Sequence, residues 1–289
     1  GDTLGSAGAL CSALRRAGKQ AYLLKNEEAT EKYLPFVGGY FAPVDYEYDK
    51  IVAVDTADVT MFPKSFEGSV DLCIDHHGSN RLYAKQTYLD ASAAAACEIL
   101  LQIIKELGAE ITKETADCIY TGLSTDTGCF RYQNMTASVF RIAAELMDKG
   151  VDFKKINKLM FETKTKSFLE LERLARETLE YHFDDRCAII TITQSMYDES
   201  GADEHQVYPI TALPRQIEGV VVGAVFKEKP DGTYGISVRT DGDVDASEVC
   251  ARLGGGGHKG AAGCHPKCGF EEAKELLLAS IKKSLDGLE

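Results

Sequence analysis

The chain has 289 residues, of which 44% are hydrophobic and 27% charged, with a formal net charge of −13. This is the composition of a globular protein long enough for two cores. It contains no apolar run near the roughly 20 residues of a membrane helix, and its negative balance argues against coating long nucleic acid by counter-ion release. A small anionic substrate stays open, because bound divalent cations reverse the local potential.

In chain order, residues 5–16 read as a helix stopped near Gly18. Short apolar, β-branched runs at 21–24, 51–55 and 70–75 read as strands. Their alternation with helical patterns predicts a mostly parallel sheet with helices on both faces. Asp90 and Ser92 are placed to cap a helix carrying Ile99, Leu100, Ile103 and Ile104, with Gly108 just past its end. A further helix from about Lys113 toward Leu123 puts Asp126 just beyond it, and Thr136 caps a helix that ends at Gly150. The charged amphipathic stretch 164–181, with Phe168, Leu171, Leu174 and Leu179, predicts a helix connecting two domains.

Past that stretch, 187–193 and 220–227 are strand-like, and Pro230-Asp231-Gly232-Thr233 reads as a hairpin turn into a strand over 234–239. Asp245 starts a short helix running into Gly254-Gly255-Gly256-Gly257-His258, and a last amphipathic helix covers 270–285. The expected architecture is α/β in two domains: 1–163, a linker helix over 164–185, and a smaller α/β domain over 186–289. The nine cysteines show no paired short spacing, so reduced, buried thiols in a cytoplasmic protein are expected. Cys264 and Cys268 lack a second Cys or His pair nearby, which disfavours a zinc site.

The residues with chemistry stand at the ends of the buried runs. Asp75-His76-His77 ends the run 70–74, and Asp55 ends the run 51–54. Side chains on an extended segment alternate in direction, so one imidazole is assigned to a metal and the other to a substrate. Strand carboxyl ends gather at one edge of an open α/β sheet. Asp55, His76 and Asp126 can therefore meet there, although singly each has a plain alternative as a turn cap or a core histidine. A carboxylate-rich set favours Mn²⁺ or Mg²⁺, with Asp55 as the candidate bridge between two ions about 4 Å apart.

The glycine run can bring backbone amides close to a phosphate. His258, Lys259 and Arg239 strengthen that reading, Arg239 as a guanidinium clamp and Arg215 as a weaker candidate. Asn80 and Arg81 are candidates for substrate contact, against a surface role for Arg81. Tyr132 and Phe130 are candidate stacking platforms, against core packing for Phe130.

The segment 52–56, Asp75-His76-His77, the segment 125–128 and the stretch 254–263 resemble, in that order along the chain, four motifs of the DHH phosphoesterases with a DHH-associated C-terminal domain. Size and motif spacing are most similar to the small nanoRNase/pAp phosphatase branch. The resemblance implies a cytoplasmic, Mn²⁺-dependent hydrolase with two ions per site, for which Mg²⁺ or Co²⁺ could substitute. Its substrates would be short single-stranded RNA and 3′-phosphoadenosine-5′-phosphate, with no membrane or long nucleic acid as partner and a homodimer by analogy. It further implies that Asp2, Asp55, His76 and Asp126 hold one metal, that His77 faces the scissile phosphate, and that Asp75 orients an imidazole from behind. Asn80, Arg81, Arg215, Arg239, Gly255, Gly256, Gly257 and His258 would serve substrate, the second domain holding its remote end so that a short gap favours short substrates.

The start departs from the family pattern His-x-x-x-Asp-x-Asp-x-x-Gly-Ser: Asp2 matches the second Asp, so the remaining ligands of the other metal are expected upstream of Gly1 in a longer natural sequence. The same site could instead serve a phosphodiesterase for cyclic di-AMP, pApA or pGpG. A family II pyrophosphatase is disfavoured by the lack of a Ser-Arg-Lys-Lys cluster. A nucleotide-binding regulator with a decayed site is disfavoured by the retention of Asp2, Asp55, His76, His77 and Asp126.

Overall fold

The computed structural model describes residues 1–25, 31–63, 66, 68–204 and 207–287. The chain divides into two compact units, Gly1–Thr163 and Lys164–Glu289.

Unit 1 holds a three-stranded parallel sheet, β1 (Val52–Val54), β2 (Leu72–Asp75) and β3 (Gln86–Leu89), in that spatial order. The third strand escapes the sequence reading because Gln86-Thr87-Tyr88-Leu89 is largely exposed and lacks a buried apolar run. Conversely, residues 21–24 do not form a strand; Leu23 makes a single bridge to Phe41.

Around the sheet lie α1 (Asp2–Arg16), α2 (Leu34–Val37), α3 (Ala96–Glu106), α4 (Lys113–Asp126), α5 (Ala137–Asp148) and α6 (Phe153–Asn157). Val54 and Ile74 face a core shared with α1, α3, α4 and α5. The next residues along each strand, Ala53 and Cys73, point the other way. Helices are expected on both faces. Among the described residues this second face packs instead on Phe62, Phe66 and Tyr83.

Asp90 and Ser92 do not cap α3; they close a turn on one another, and the N-cap position falls on Ala95. Asp126 is the last residue of α4 rather than the first beyond it, which keeps its carboxylate on the helix that fixes its height. Thr136 does cap α5, accepting the Val139 N–H.

Close contact between α1 and α4 brings their ends to the sheet edge. A methyl group at Gly5 would stand 2.5 Å from the Cys118 carbonyl oxygen and 2.7 Å from the Gly122 nitrogen. One at Gly122 would stand 2.2 Å from Cys97 Sγ and 2.7 Å from Asp2 Oδ1. Only hydrogen fits at either place.

Unit 2 is a six-stranded sheet in the order β4-β5-β6-β7-β9-β8, built from Glu180–His182, Cys187–Ile192, Val222–Glu228, Tyr234–Thr240, Ala261–Cys264 and Gly256–His258 respectively. Only the β5–β6 pair is parallel. One face packs on α9 (Ala246–Ala251) and α10 (Phe270–Asp286).

The other face packs on α7 (Lys166–Glu177), the short α8 (Gln194–Ser200) and a 3₁₀ turn at Tyr208–Ala212. The expected connecting helix is therefore shorter than 164–185. Its charged face gives the amphipathic pattern, but Phe168, Leu171 and Ala175 are core residues of unit 2, and the chain is in strand again by Glu180.

Substitution Gly5→Ala should force α1 off α4. Overpacking of this kind destabilises by about 1–3 kcal/mol, and a chemical denaturation midpoint that stays at the parent value would contradict the packing account.

Candidate metal and phosphoester site

Parallel pairing of β1 and β2 puts their carboxyl ends side by side, with Val54 opposite Ile74. Asp55, immediately after β1, still donates its N–H to the Ile74 carbonyl at 3.0 Å. Its φ is +54°, a left-handed conformation unusual for a residue with a side chain. Such strain is held only where the surroundings over-determine it; here Thr3 Oγ1 fixes one carboxylate oxygen at 2.7 Å.

Asp75 ends β2 with no solvent exposure. Its Oδ1 accepts the N–H groups of His76 (2.8 Å) and His77 (3.2 Å) and faces His77 Nδ1 at 2.7 Å. Its Oδ2 accepts from Asn80 Nδ2 at 2.6 Å. Burial works to raise the carboxyl pKa, but the His77 and Asn80 hydrogen bonds outweigh it and hold it at about 2. Asp75 in turn raises the pKa of His77.

His76 is oriented from the other side, its Nδ1 lying 3.2 Å from the Ala93 carbonyl oxygen. That leaves Nε2 facing Asp55 Oδ1 at 3.3 Å and Asp126 Oδ2 at 3.7 Å. Burial opposes its charging, yet the carboxylates of Asp55, Asp126 and Asp2 push the imidazole up to about 9.

Asp2 opens α1, and each of its oxygens accepts one hydrogen bond from the start of another helix. They accept the Ala96 N–H at 2.5 Å and the Cys97 N–H at 3.0 Å. It supplies the cap that Ala95 cannot. Burial and then the facing Asp55 and Asp126 carboxylates push its pKa up to about 7.

The arrangement thus brings together Asp2, Asp55, His76, His77 and Asp126. Ligand atoms of Asp55, His76 and His77 form one group within 4.8 Å of one another, and those of Asp2, His76 and Asp126 a second. Asp55 Oδ1 and His76 Nε2 are buried and have no hydrogen-bond partner. Buried polar atoms are nearly always satisfied, and several carboxylates gathered around one imidazole are a donor set that a divalent cation satisfies. The donor set fits a metal ion.

Asn80 and Arg81 differ in their surroundings. The Asn80 amide is committed to Asp75 Oδ2 and the Thr56 carbonyl, and its oxygen accepts the Leu82 N–H. It braces the carboxylate from behind. Arg81 is exposed and pairs with Asp58 at 3.3 Å. Sequence reasoning missed Thr3, the Ala93 carbonyl and Asn134, whose Nδ2 donates to the Ala94 and Asp126 carbonyls. The four consecutive alanines 93–96 were a usable signal: a helix start without a capping side chain must find its cap elsewhere.

In unit 2 the strand register gathers the expected anion-binding residues. Gly223 pairs with Arg239, Arg239 with Ala261, and Ala261 with His258. Directly paired residues face the same side, so Arg239 and His258 share one face across the small Ala261. The Pro214–Gln216 turn lies over the same row: a methyl at Gly223 would stand 2.7 Å from the Arg215 nitrogen. Arg215 Nε is buried without a hydrogen-bond partner.

The glycine run turns at Gly254 and enters strand β8 at Gly256. Methyls at Gly255 and Gly257 would collide with the backbone of β9, at 2.2 Å from the Gly263 oxygen and 2.6 Å from the Ala261 oxygen. These two glycines therefore serve hairpin closure. Gly256 faces open space on the Arg239 side, and it is there that an anion can approach.

Comparison with known proteins accords with these motifs. Residues 1–123 match the DHH family, N-terminal domain, and residues 188–286 match the DHHA1 domain. The chain is 33% identical, over 99% of its length and 87% of the relative's, to the bifunctional oligoribonuclease and PAP phosphatase NrnA of Thermus thermophilus. The chain belongs to the DHH phosphoesterase family, whose members are hydrolases acting on phosphoester bonds. It is also 30% identical, over 76% of the chain and 71% of the relative, to a probable protein of the same name from Streptococcus mutans. Among solved structures, an exopolyphosphatase-related protein from Bacteroides fragilis covers 98% of the chain, which spans 88% of it, with a TM-score of 0.85 at 23% identity; it supports the two-domain fold.

Removing the brace behind Asp75 tests the hydrogen-bond account. Asn80→Ala leaves a buried carboxylate oxygen without that donor, and hydrogen bonds to charged groups contribute about 1.5–3 kcal/mol. A loss of that size in denaturant-derived stability is expected, and a variant as stable as the parent would refute it.

Proposed function

We propose that the chain is a Mn²⁺-dependent phosphoesterase that releases mononucleotides from short oligoribonucleotides and converts 3′-phosphoadenosine-5′-phosphate to AMP and phosphate. The observation that carries this reading is the pair of buried ligand atoms without a hydrogen-bond partner, Asp55 Oδ1 and His76 Nε2, facing one another beside Asp126 and Asp2. Relatives whose names state both activities, one matched over 99% of the chain and one over 76%, support the choice of substrates.

Asp2, Asp55, His76 and Asp126 would hold the metal. Bound there, it would supply Lewis-acid stabilisation of the phosphoryl oxygens and a water activated for attack on phosphorus. The protein's own groups do the rest. Asp75 favours the charged form of His77 and holds Nδ1, which supports His77 as a hydrogen-bond donor to the charge that develops on the phosphoryl group. Asn80 keeps Asp75 in place for that task.

In unit 2, the row of Arg215, Arg239 and His258 with the open face at Gly256 supports capture of a terminal phosphate. Two guanidinium groups and an imidazole around one open patch suit a single anionic end. An extended single strand would call for a long basic groove with stacking platforms, and the net charge of −13 does not provide one.

The purified protein should hydrolyse di- to pentaribonucleotides and 3′-phosphoadenosine-5′-phosphate with Mn²⁺, stop in EDTA, and recover on adding Mn²⁺ back. Absence of product from all of these substrates sinks the proposal, and much faster turnover of cyclic di-AMP redirects it to signalling dinucleotides. His77→Ala should lower kcat by about 10²–10⁴, the usual contribution of a positioned proton donor. Arg239→Ala should act chiefly on KM, raising it roughly tenfold or more for a lost charge-assisted contact. If it lowers kcat and leaves KM unchanged, Arg239 does not bind the substrate's phosphate.

A further inference from the structure

The segment Ala93 to Cys97 touches the proposed metal centre at three places. The Ala93 carbonyl oxygen orients His76 through Nδ1 at 3.2 Å. The Ala96 and Cys97 N–H groups grip the two oxygens of Asp2. Asn134 ties the same segment to the third ligand, its Nδ2 donating to the Ala94 carbonyl at 2.9 Å and to the Asp126 carbonyl at 3.3 Å.

We propose that Asn134 is a positioning residue for the metal centre, acting through the Asp126 and Ala94 carbonyls to set Asp126 against His76 and Asp2. This rests on the metal reading above.

The geometry makes the role specific. Asp126 is the last residue of α4, where helical hydrogen bonding gives out and the final carbonyls need partners from elsewhere. The chain then turns left-handed through Gly128, Cys129 and Phe130, with φ of +57°, +58° and +63°. That reversal returns residue 134 over the end of the helix it has just left. The amide orientation is forced: turning it over would set Oδ1 against two carbonyl oxygens. Buried alanines at 94, 95 and 96 let the segment lie close enough for all three contacts.

Asn134 is itself exposed. Replacing an exposed polar residue ordinarily leaves stability and binding nearly unchanged. A positioning role predicts something else: partners that orient metal ligands commonly change metal affinity 10- to 100-fold.

The test uses the whole chain and Mn²⁺ itself. Free Mn²⁺ is followed by its EPR signal during titration of the parent, Asn134→Ala and Asn134→Leu, the last keeping bulk without the donors. The melting temperature of each is measured in EDTA and in excess Mn²⁺. The expected result is a 10- to 100-fold higher Kd for Mn²⁺ in both variants, with melting in EDTA as in the parent. Variants that bind Mn²⁺ like the parent overturn the inference.

Should either variant melt lower in EDTA, the Mn²⁺-induced rise in melting temperature decides. A smaller rise than in the parent supports positioning, and an equal rise shows a general structural role and overturns it. A parent chain that binds no Mn²⁺ overturns the metal reading itself, and this inference with it, which is a different result from parent binding with unaffected variants.

Discussion

The structure of unit 1 depends on one electrostatic problem: three carboxylates, the buried Asp2 and Asp55 and the half-buried Asp126, gather around the His76 imidazole. Burial first, and the neighbouring carboxylates after it, disfavour ionisation and raise the pKa of Asp2 and Asp126. The fold answers by anchoring residues from the side away from the cluster. Asp2 is held by two backbone N–H groups, Asp55 by the Thr3 hydroxyl, His76 by a carbonyl, and His77 by Asp75. Their ligand atoms are thereby gathered into two groups that share His76. A cation among them converts repulsion into ligation, which is why the same geometry is costly as a bare protein core and useful as a metal centre.

Unit 2 solves a simpler problem by different means. Its sheet places anion-binding side chains by register rather than by burial, so Arg239 and His258 share a face because the pairing through Ala261 requires it. Small residues around them matter as much as the charges. Gly223 admits the turn that carries Arg215, and Gly256 leaves its face open. An anion gains there from charge-assisted hydrogen bonds, without the desolvated carboxylates of unit 1 and without the strain stored at Asp55.

The parts of this arrangement legible in the sequence were those that local rules govern. Asp55 and Asp75-His76-His77 were found because apolar runs ending in polar residues mark strand ends at a sheet edge. Thr136 was found as a cap because capping is a property of a few neighbouring residues. What escaped was settled by long-range packing. Strand Gln86–Leu89 has no buried run to announce it and exists because the β2 edge is there to pair with. The cap of α3 lies 94 residues away, at Asp2, so that local inspection settled on Asp90 and Ser92. Lys166–Glu177 has the charged face of a connector, and only the sheet beneath it shows that its apolar face is core.

The two asparagines at the site show how an amide can decide geometry through the groups it holds. Asn80 donates to a carboxylate and a carbonyl, whereas Asn134 donates to two carbonyls from segments 32 positions apart. An amide suits both places because it offers two donors on one nitrogen and carries no charge. A lysine there would add a competing cation beside the ligands, and an aspartate would add a fourth carboxylate to a cluster already repelling itself. Neutral, two-pronged donors allow the chain to fix where its ligands point while leaving the net charge of the centre to be balanced by whatever ion it binds.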